Sequence, residues 1–252
     1  MRIVRYDTQD GKKPKYGWLL DDKVGEIGGN LYGRYRRNEA QTPLSEVKLL
    51  PPCEPSKIVC VGRNYVEHAK ELGNEVPKVP LIFLKPPSSI IGNGEAILLQ
   101  TQSAQVEHEA ELVIVIGKRG KNVTAENARK YILGYTVGND VTARDLQKTD
   151  GQWTRAKGFD TFCPFGPAVV TGLDPASLTV RTVLDGQVRQ DYPISDMRFS
   201  VAELVSMISH DMTLLPGDLI LCGTSVGVGS MKPGSQVSVE IDGIGALTNP
   251  VE

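Results

Sequence analysis

The segment VEHEAELVIVIG, from Val106 to Gly117, sets three carboxylates two residues apart at the head of an apolar, β-branched run. Successive side chains of a strand point to opposite faces, so Glu107, Glu109 and Glu111 are expected on one face. Like charges held together there repel one another, and a bound cation relieves that repulsion. A solvated strand end is the alternative. A helical register, with Glu107 and Glu111 four apart, suits the following VIVI poorly because β-branched residues are stiff in helices. A second strand-like run, GYTVGND, ends at Asp140, and the Thr142-Ala143-Arg144-Asp145 that follows has the Ser/Thr-x-x-Asp/Glu form of a helix start. Asp140 is thereby placed at a strand-to-helix junction, where an ordinary turn aspartate is the competing reading. Oxygen-only ligands favour Mg²⁺ or Mn²⁺, with Ca²⁺ possible in their place, over zinc, and three carboxylates leave positions for water or a chelating substrate.

The stretch KIVCVGRNYVEHAKELG reads as a buried strand, a turn at Gly62 and a helix over 64–72 capped by Asn64. His68 and Glu71 then share a helical face, where the carboxylate can orient the ring and support it as a general base; an exposed i,i+3 pair is the plainer alternative. In LCGTSVGVGS there is no Gly-Lys-Ser/Thr ending and no G-x-G-x-x-G, so a phosphate-binding loop is set aside in favour of a turn lined by Thr224. Lys157 lies in WTRAKGFDTFCPFGP, a Gly- and Pro-containing loop from which its ammonium could reach a substrate carboxylate; a solvated loop lysine is the alternative.

The elements that must position these residues are mostly short strands. The runs LVIVIG, GYTVGND, LTVRTVLDGQVRQ, DLILCGT and QVSVEIDG are bounded by turn residues, with Asp185-Gly186 and Asp242-Gly243 marking turns. Helices are few, over 64–72, 125–131, 143–148 and 201–209. Strict strand–helix alternation is missing, which argues against a doubly wound parallel sheet and for a β-rich mixed α+β fold. Prolines in PLSEVKLLPPCEPSK place a linker over 49–56, separating a small N-terminal β domain (1–50) from a main domain (51–252). The 252 residues suffice for a sizeable core.

A charged fraction of 23% with a net charge of −2 argues against nucleic acid as a partner, and no stretch approaches a membrane span. The start MRIVRYD lacks an apolar signal region, so a cytoplasmic location is expected. Cys60 and Cys222 sit in apolar runs as buried hydrophobes, and in a reducing compartment Cys53 and Cys163 are expected to stay unpaired.

Together, VGRNYxxHAxE, FLKPPSS, ExEL with VIVIG, NDVTARDLQ, AKGFDTFCPxGP and LCGTSxGVG resemble the fumarylacetoacetate hydrolase family from Lys57 to the C-terminus. The resemblance implies a β-roll-like catalytic domain, a homodimer, and Mg²⁺ or Mn²⁺ held by Glu109, Glu111 and Asp140. It further implies a base dyad of His68 and Glu71, substrate contacts from Lys157 and Thr224, and further near-site residues at Arg63, Lys85, Arg144 and Gln147. Ser225 stands where many members have proline. The upstream fourth carboxylate ligand of the eponymous hydrolases has no counterpart, as in the shorter bacterial-type members.

The substrate implied is a small 2-oxo (1,3-dicarbonyl) acid reacting through an enolate that the cation stabilises as a Lewis acid. Water attack on a second carbonyl gives C–C hydrolysis of an acylpyruvate, the leading expectation. Loss of CO₂ gives decarboxylation, and proton movement alone gives a keto–enol tautomerase or isomerase. A structural divalent-metal protein and a nucleotide-binding enzyme are the readings from other classes.

Overall fold

The computed structural model describes residues 1–8, 10–71 and 77–252, with side chains described at all of these except 68–70. Its backbone is organised by one long mixed sheet. From one edge its strands run Tyr35–Pro43, Lys23–Gly29, Lys15–Leu20, Arg2–Asp7, Cys163–Val170, Ile132–Asn139, Ala110–Ile116, Leu219–Leu221, Ile58–Gly62 and Leu81–Lys85. Neighbours are antiparallel except for Leu219–Leu221 with Ile58–Gly62, so the parallel doubly wound arrangement is absent, as the sequence pattern implied. The N-terminal strands continue this sheet, because Arg2 pairs with Val170 and Ile3 with Val169. A four-stranded antiparallel sheet, Gln187–Pro193, Thr179–Leu184, Gln236–Ile241 and Gly245–Pro250, packs against it.

Ala110–Ile116 is buried along its whole length because both its faces are covered. Leu112, Ile114 and Ile116 join the apolar face of the helix Val201–Asp211 (Leu204, Val205, Ile208), while Val113 and Val115 join Ile3, Ile58, Cys60 and Phe165. Burying a side chain of this size contributes roughly 1.5–3 kcal/mol, which makes this strand a firm base for Glu111 at its start. The helix Val201–Asp211 begins with a capping box: Ser200 accepts from the Glu203 N–H, and the Glu203 carboxylate accepts from the Ser200 N–H.

Four local expectations change. VEHEAELVIVIG is not one strand: Val106–His108 pairs with Thr142–Ala143 and Gly229–Ser230 in a separate three-stranded sheet, and the chain bends at Glu109 before Ala110–Ile116 begins. Thr142 does not cap the helix Arg144–Asp150; its hydroxyl donates to the Asp140 carbonyl, and Asp145 instead accepts from Ser103 and Ala104. Among the described residues the side chain of Asn64 bonds to segments far in sequence from the helix it is expected to cap. Its amide donates to the carbonyls of Phe199 and Cys222 and accepts from the Phe199 N–H, a buried clamp between segments distant in sequence, and the helix is Val66–Glu71. Leu72, the expected end of that helix, lies outside the described residues. The segment Ala125–Tyr131 is a 3₁₀ rather than an α-helix. All four cysteines are buried and free, in keeping with the expectation that none pairs.

Candidate metal and substrate site

Two paired strands bend together. Ala110 faces Asn139 as the last pair of the long sheet on this side, and Glu107 faces Thr142 in the small sheet. Between them the Asp140 N–H donates to the Glu109 carbonyl at 2.8 Å, and the Glu109 N–H donates to the Asn139 side chain at 2.9 Å. The bend removes Glu109 and Asp140 from the ladder and turns their carboxylates toward Glu111, one residue into the buried strand. Among the described residues, Glu109, Glu111 and Asp140 each offer an oxygen, all within 4.8 Å of one another, and all three are buried.

Their environment is ionic. Lys157 Nζ donates to Glu109 Oε2 at 2.8 Å and to Asp140 Oδ2 at 2.6 Å, and Lys85 Nζ donates to Asp140 Oδ1 at 2.6 Å. Arg144 donates from Nε to Glu107 Oε2 at 2.7 Å, from one terminal nitrogen to Glu109 Oε1 at 2.5 Å, and from the other to Gln147 Oε1 at 2.6 Å. Glu111 Oε2 accepts from the Gly223 N–H at 2.6 Å. Glu107 is therefore paired with Arg144 and Gln105 rather than completing a three-carboxylate face with Glu109 and Glu111. Lys157 is likewise not on an open loop. It sits on the short helix Thr154–Gly158, almost fully buried, 5.1 Å above the Phe83 ring.

Burial, then the neighbouring charges of Asp140 and Glu109, push the Glu111 carboxyl well above the ordinary carboxylate range. Burial works against the Lys157 ammonium, but Asp140 and Glu109 outweigh it and hold its pKa above 10.5. Four carboxylates (Glu107, Glu109, Glu111, Asp140) thus meet three cations (Lys85, Arg144, Lys157) inside the protein. The oxygen-only donors and their mutual spacing fit a hard divalent cation such as Mg²⁺ or Mn²⁺, whose charge would also relieve the repulsion that raises Glu111.

Beside the three carboxylates opens a cavity of about 320 Å³, lined also by Arg63, Phe83, Arg144, Gln147, Lys148, Trp153, Lys157 and Thr224. The structure thus brings Arg63, Arg144, Gln147, Lys157 and Thr224 to the three acids, with Lys85 behind Asp140. Arg63 has a left-handed backbone (φ 57°) at the turn after Gly62, an uncommon conformation for a non-glycine residue. Glu71 accepts at 3.4 Å from the Gly227 N–H, so the helix Val66–Glu71 touches the Thr224 loop. The side chain of His68 lies outside the described residues.

Sequence reasoning passed over Trp153 and Gln190. Trp153 stacks edge-on against Phe83 and covers Gly62, where a Cβ would come within 2.7 Å of its ring. Gln190 and Tyr192 point inward from Gln187–Pro193, whose burial alternates. A polar residue at an inward position of QVRQDYP is the signal that could have found Gln190.

The family model for the fumarylacetoacetate (FAA) hydrolase C-terminal region matches residues 57–252, and a model for the N-terminal region of Rv2993c-like proteins matches residues 1–52. A solved 5-carboxymethyl-2-hydroxymuconate delta-isomerase from Mycobacterium smegmatis is 45% identical, superposes with a TM-score of 0.92, and aligns over 100% of this chain and 99% of its own. The mitochondrial oxaloacetate tautomerase fahd2 of Xenopus laevis is 39% identical over 287 residues, covering 100% of this chain and 90% of that one. A maleylpyruvate hydrolase from Sphingobium sp. SYK-6, solved with manganese(II) and pyruvate, is 27% identical with a TM-score of 0.81 over 100% of this chain and 98% of its own.

Proposed function

This chain belongs to the fumarylacetoacetate hydrolase family, and we propose that it is a Mg²⁺- or Mn²⁺-dependent enzyme that moves a proton beside the ketone of a small 2-oxo acid, as a keto–enol tautomerase or isomerase. The observation carrying this reading is the buried group of Glu109, Glu111 and Asp140, whose oxygens lie within 4.8 Å of one another at the floor of a cation-lined cavity. Tautomerisation and isomerisation stand ahead of hydrolysis because relatives with those names are 39% and 45% identical to this chain, against 34% for a solved fumarylacetoacetate hydrolase of Exiguobacterium antarcticum and 27% for the maleylpyruvate hydrolase.

Glu109, Glu111 and Asp140 would hold the cation, which supplies Lewis-acid polarisation of a ketone and its adjacent carboxylate. The chain's own groups do the rest. Lys157, fixed by two carboxylates, presents its remaining N–H to negative charge developing on a substrate oxygen. Arg144 ties Glu109 to Gln147, so the carboxylate and the amide that line the cavity keep one geometry. Arg63 and Lys148 add positive charge at the cavity, suited to an anionic substrate. Trp153 and Phe83 form its apolar wall and limit the access of water. His68, with Glu71 as the partner that the resemblance implies, would take and return the proton.

A second reading, C–C hydrolysis of an acylpyruvate, draws on the maleylpyruvate hydrolase likeness and needs His68 to activate water instead. The apolar, exposed Val79, Leu81 and Leu84, on and beside the edge strand Leu81–Lys85, support a homodimer, which light scattering would detect. The functional test is a panel of oxaloacetate enol, dienol diacids and acylpyruvates with Mg²⁺ or Mn²⁺, products identified by mass. Interconversion without cleavage supports the first reading and cleavage the second. No turnover of any of them, or full activity in excess EDTA, would overturn the proposal.

A further inference from the structure

Gln190 is almost wholly buried, and its amide joins three segments. Oε1 accepts from the Ala110 N–H at 3.1 Å, from the Thr182 hydroxyl at 2.9 Å and faces His108 Nδ1 at 3.3 Å. Nε2 donates to Thr224 Oγ1 at 2.8 Å and to the Ser225 carbonyl at 2.9 Å. The orientation of this amide is dictated by its partners, since a backbone N–H can only donate and a backbone carbonyl can only accept. Oxygen must face Ala110, and nitrogen must face Ser225.

One consequence falls on Thr224, which lines the cavity with the three acids. Its oxygen accepts from Gln190, so its single proton remains to be donated elsewhere. Among the described residues the other neighbour of that oxygen is the Tyr192 hydroxyl at 3.5 Å, too far for a strong bond, and Tyr192 itself donates to the Ala110 carbonyl. The loop cannot readily turn away. Next to Thr224, the Gly223 N–H is bound to Glu111, and a Cβ on Gly223 would lie 2.9 Å from both Asn64 Cβ and the Val61 carbonyl.

We propose that Gln190 is a positioning residue that fixes Thr224 as a hydrogen-bond donor to the anionic substrate, through its anchorage on the Ala110 backbone beside the metal-binding bend. This rests on the reading that Glu109, Glu111 and Asp140 hold the cation. Substitution Q190E keeps the shape and reverses the polarity: a carboxylate facing Thr224 accepts the hydroxyl's hydrogen bond and leaves only an oxygen lone pair toward the substrate.

The test is calorimetric binding of oxalate, a chelating dianion, to the Mn²⁺-saturated full chain, with Mn²⁺ affinity and thermal midpoint measured on each variant. Thr224→Val and Q190E are each expected to weaken oxalate by about tenfold or more, the scale of one hydrogen bond to a charged group. Thr224→Ser retains binding. Mn²⁺ affinity changes by less than about threefold, and the double variant is no weaker than either single one, because both remove the same donated proton. Gln190→Met serves where the buried charge of Q190E unfolds the chain; it too loses oxalate affinity, and the same non-additivity is expected. A purely structural role for Gln190 predicts a lowered midpoint with unchanged oxalate affinity, or losses that add in the double variant, and either result overturns the proposal alone. Absence of Mn²⁺ binding by the unsubstituted chain overturns the metal reading and the proposal with it.

Discussion

Glu109 and Asp140 are joined through their backbones, the Asp140 N–H donating to the Glu109 carbonyl at 2.8 Å, at the point where two neighbouring strands leave the long sheet together. Two carboxylates that a flat ladder would have held in line are thus turned onto Glu111. The repulsion this creates is answered by Lys85, Arg144 and Lys157, and the divalent cation proposed above would relieve it further.

Removing one ligand should therefore affect metal binding more than folding. Glu109→Gln and Asp140→Asn keep the shape but remove the charge and one acceptor oxygen, and each is expected to weaken Mn²⁺ by at least one to two orders of magnitude, roughly the loss seen when even an outer partner of a metal ligand is removed. Dialysis against EDTA should abolish turnover, and Mg²⁺ or Mn²⁺ should restore it. Titration calorimetry on folded, circular-dichroism-matched variants checks this. Wild-type Mn²⁺ affinity in Asp140→Asn would remove Asp140 from the ligand set.

Lys85 makes a different prediction, because it touches Asp140 from behind and does not line the cavity. Lys85→Met leaves a buried carboxylate oxygen without its cation, a change that typically costs about 3–5 kcal/mol. The variant should melt well below the wild type, and Mn²⁺ at 100 times its dissociation constant should return about 2.7 kcal/mol of stability. Thermal shifts with and without Mn²⁺ measure both. A Lys85→Met protein as stable as the wild type would mean that Asp140 is satisfied in another way.

Much of this site was legible in the sequence because its chemistry sits in contiguous motifs. ExE and ND named Glu109, Glu111 and Asp140, and alternation of apolar residues found the central strand. The bend at Glu109 left no such mark. It arises because Val106–His108 has its own partners, Thr142–Ala143 and Gly229–Ser230, the latter more than a hundred residues away. Asn64 carries the local pattern of a cap, whereas its side chain bonds to Phe199 and Cys222, more than a hundred residues on. Lys157 read as a loop lysine because its burial depends on Phe83 and the two acids, none of them near it in sequence.

The cysteines give a pH-dependence with a definite sign. Burial pushes Cys163 up to about 12 and raises Cys53, Cys60 and Cys222 above the ordinary value of 9.0. Above pH 9 the unfolded chain loses thiol protons that the folded chain keeps. Stability is therefore fully present below pH 9 and falls as the pH rises toward 12, by up to about 1.4 kcal/mol per pH unit for each thiol. Denaturant midpoints between pH 8 and 10.5 should decline, and a thiol reagent should label the native protein at pH 8 only after unfolding. Rapid labelling of a native thiol would contradict the burial on which this rests.

The reactions the site could support separate by what they ask of a base. Tautomerisation and isomerisation require a proton to leave one carbon and reach another atom, and hydrolysis requires water to lose a proton as it attacks. Both should suffer about 10²–10⁴-fold in His68→Ala, the usual worth of a general base. Decarboxylation of oxaloacetate releases CO₂ without a base, and there Lys157, with the proposed cation held by the three carboxylates, would stabilise the developing charge, so the same substitution should cost less. Glu71→Ala should follow His68→Ala, with a smaller loss. Asp140→Ala should depress every reaction, because it acts on the cation common to all of them. The rates must be compared on one Mn²⁺-saturated preparation of each variant, with Mn²⁺ affinity measured beside them, since loss of metal would imitate a general defect. Equal losses in all reactions for His68→Ala, at unchanged Mn²⁺ affinity and thermal midpoint, would show that His68 positions substrate and transfers no proton.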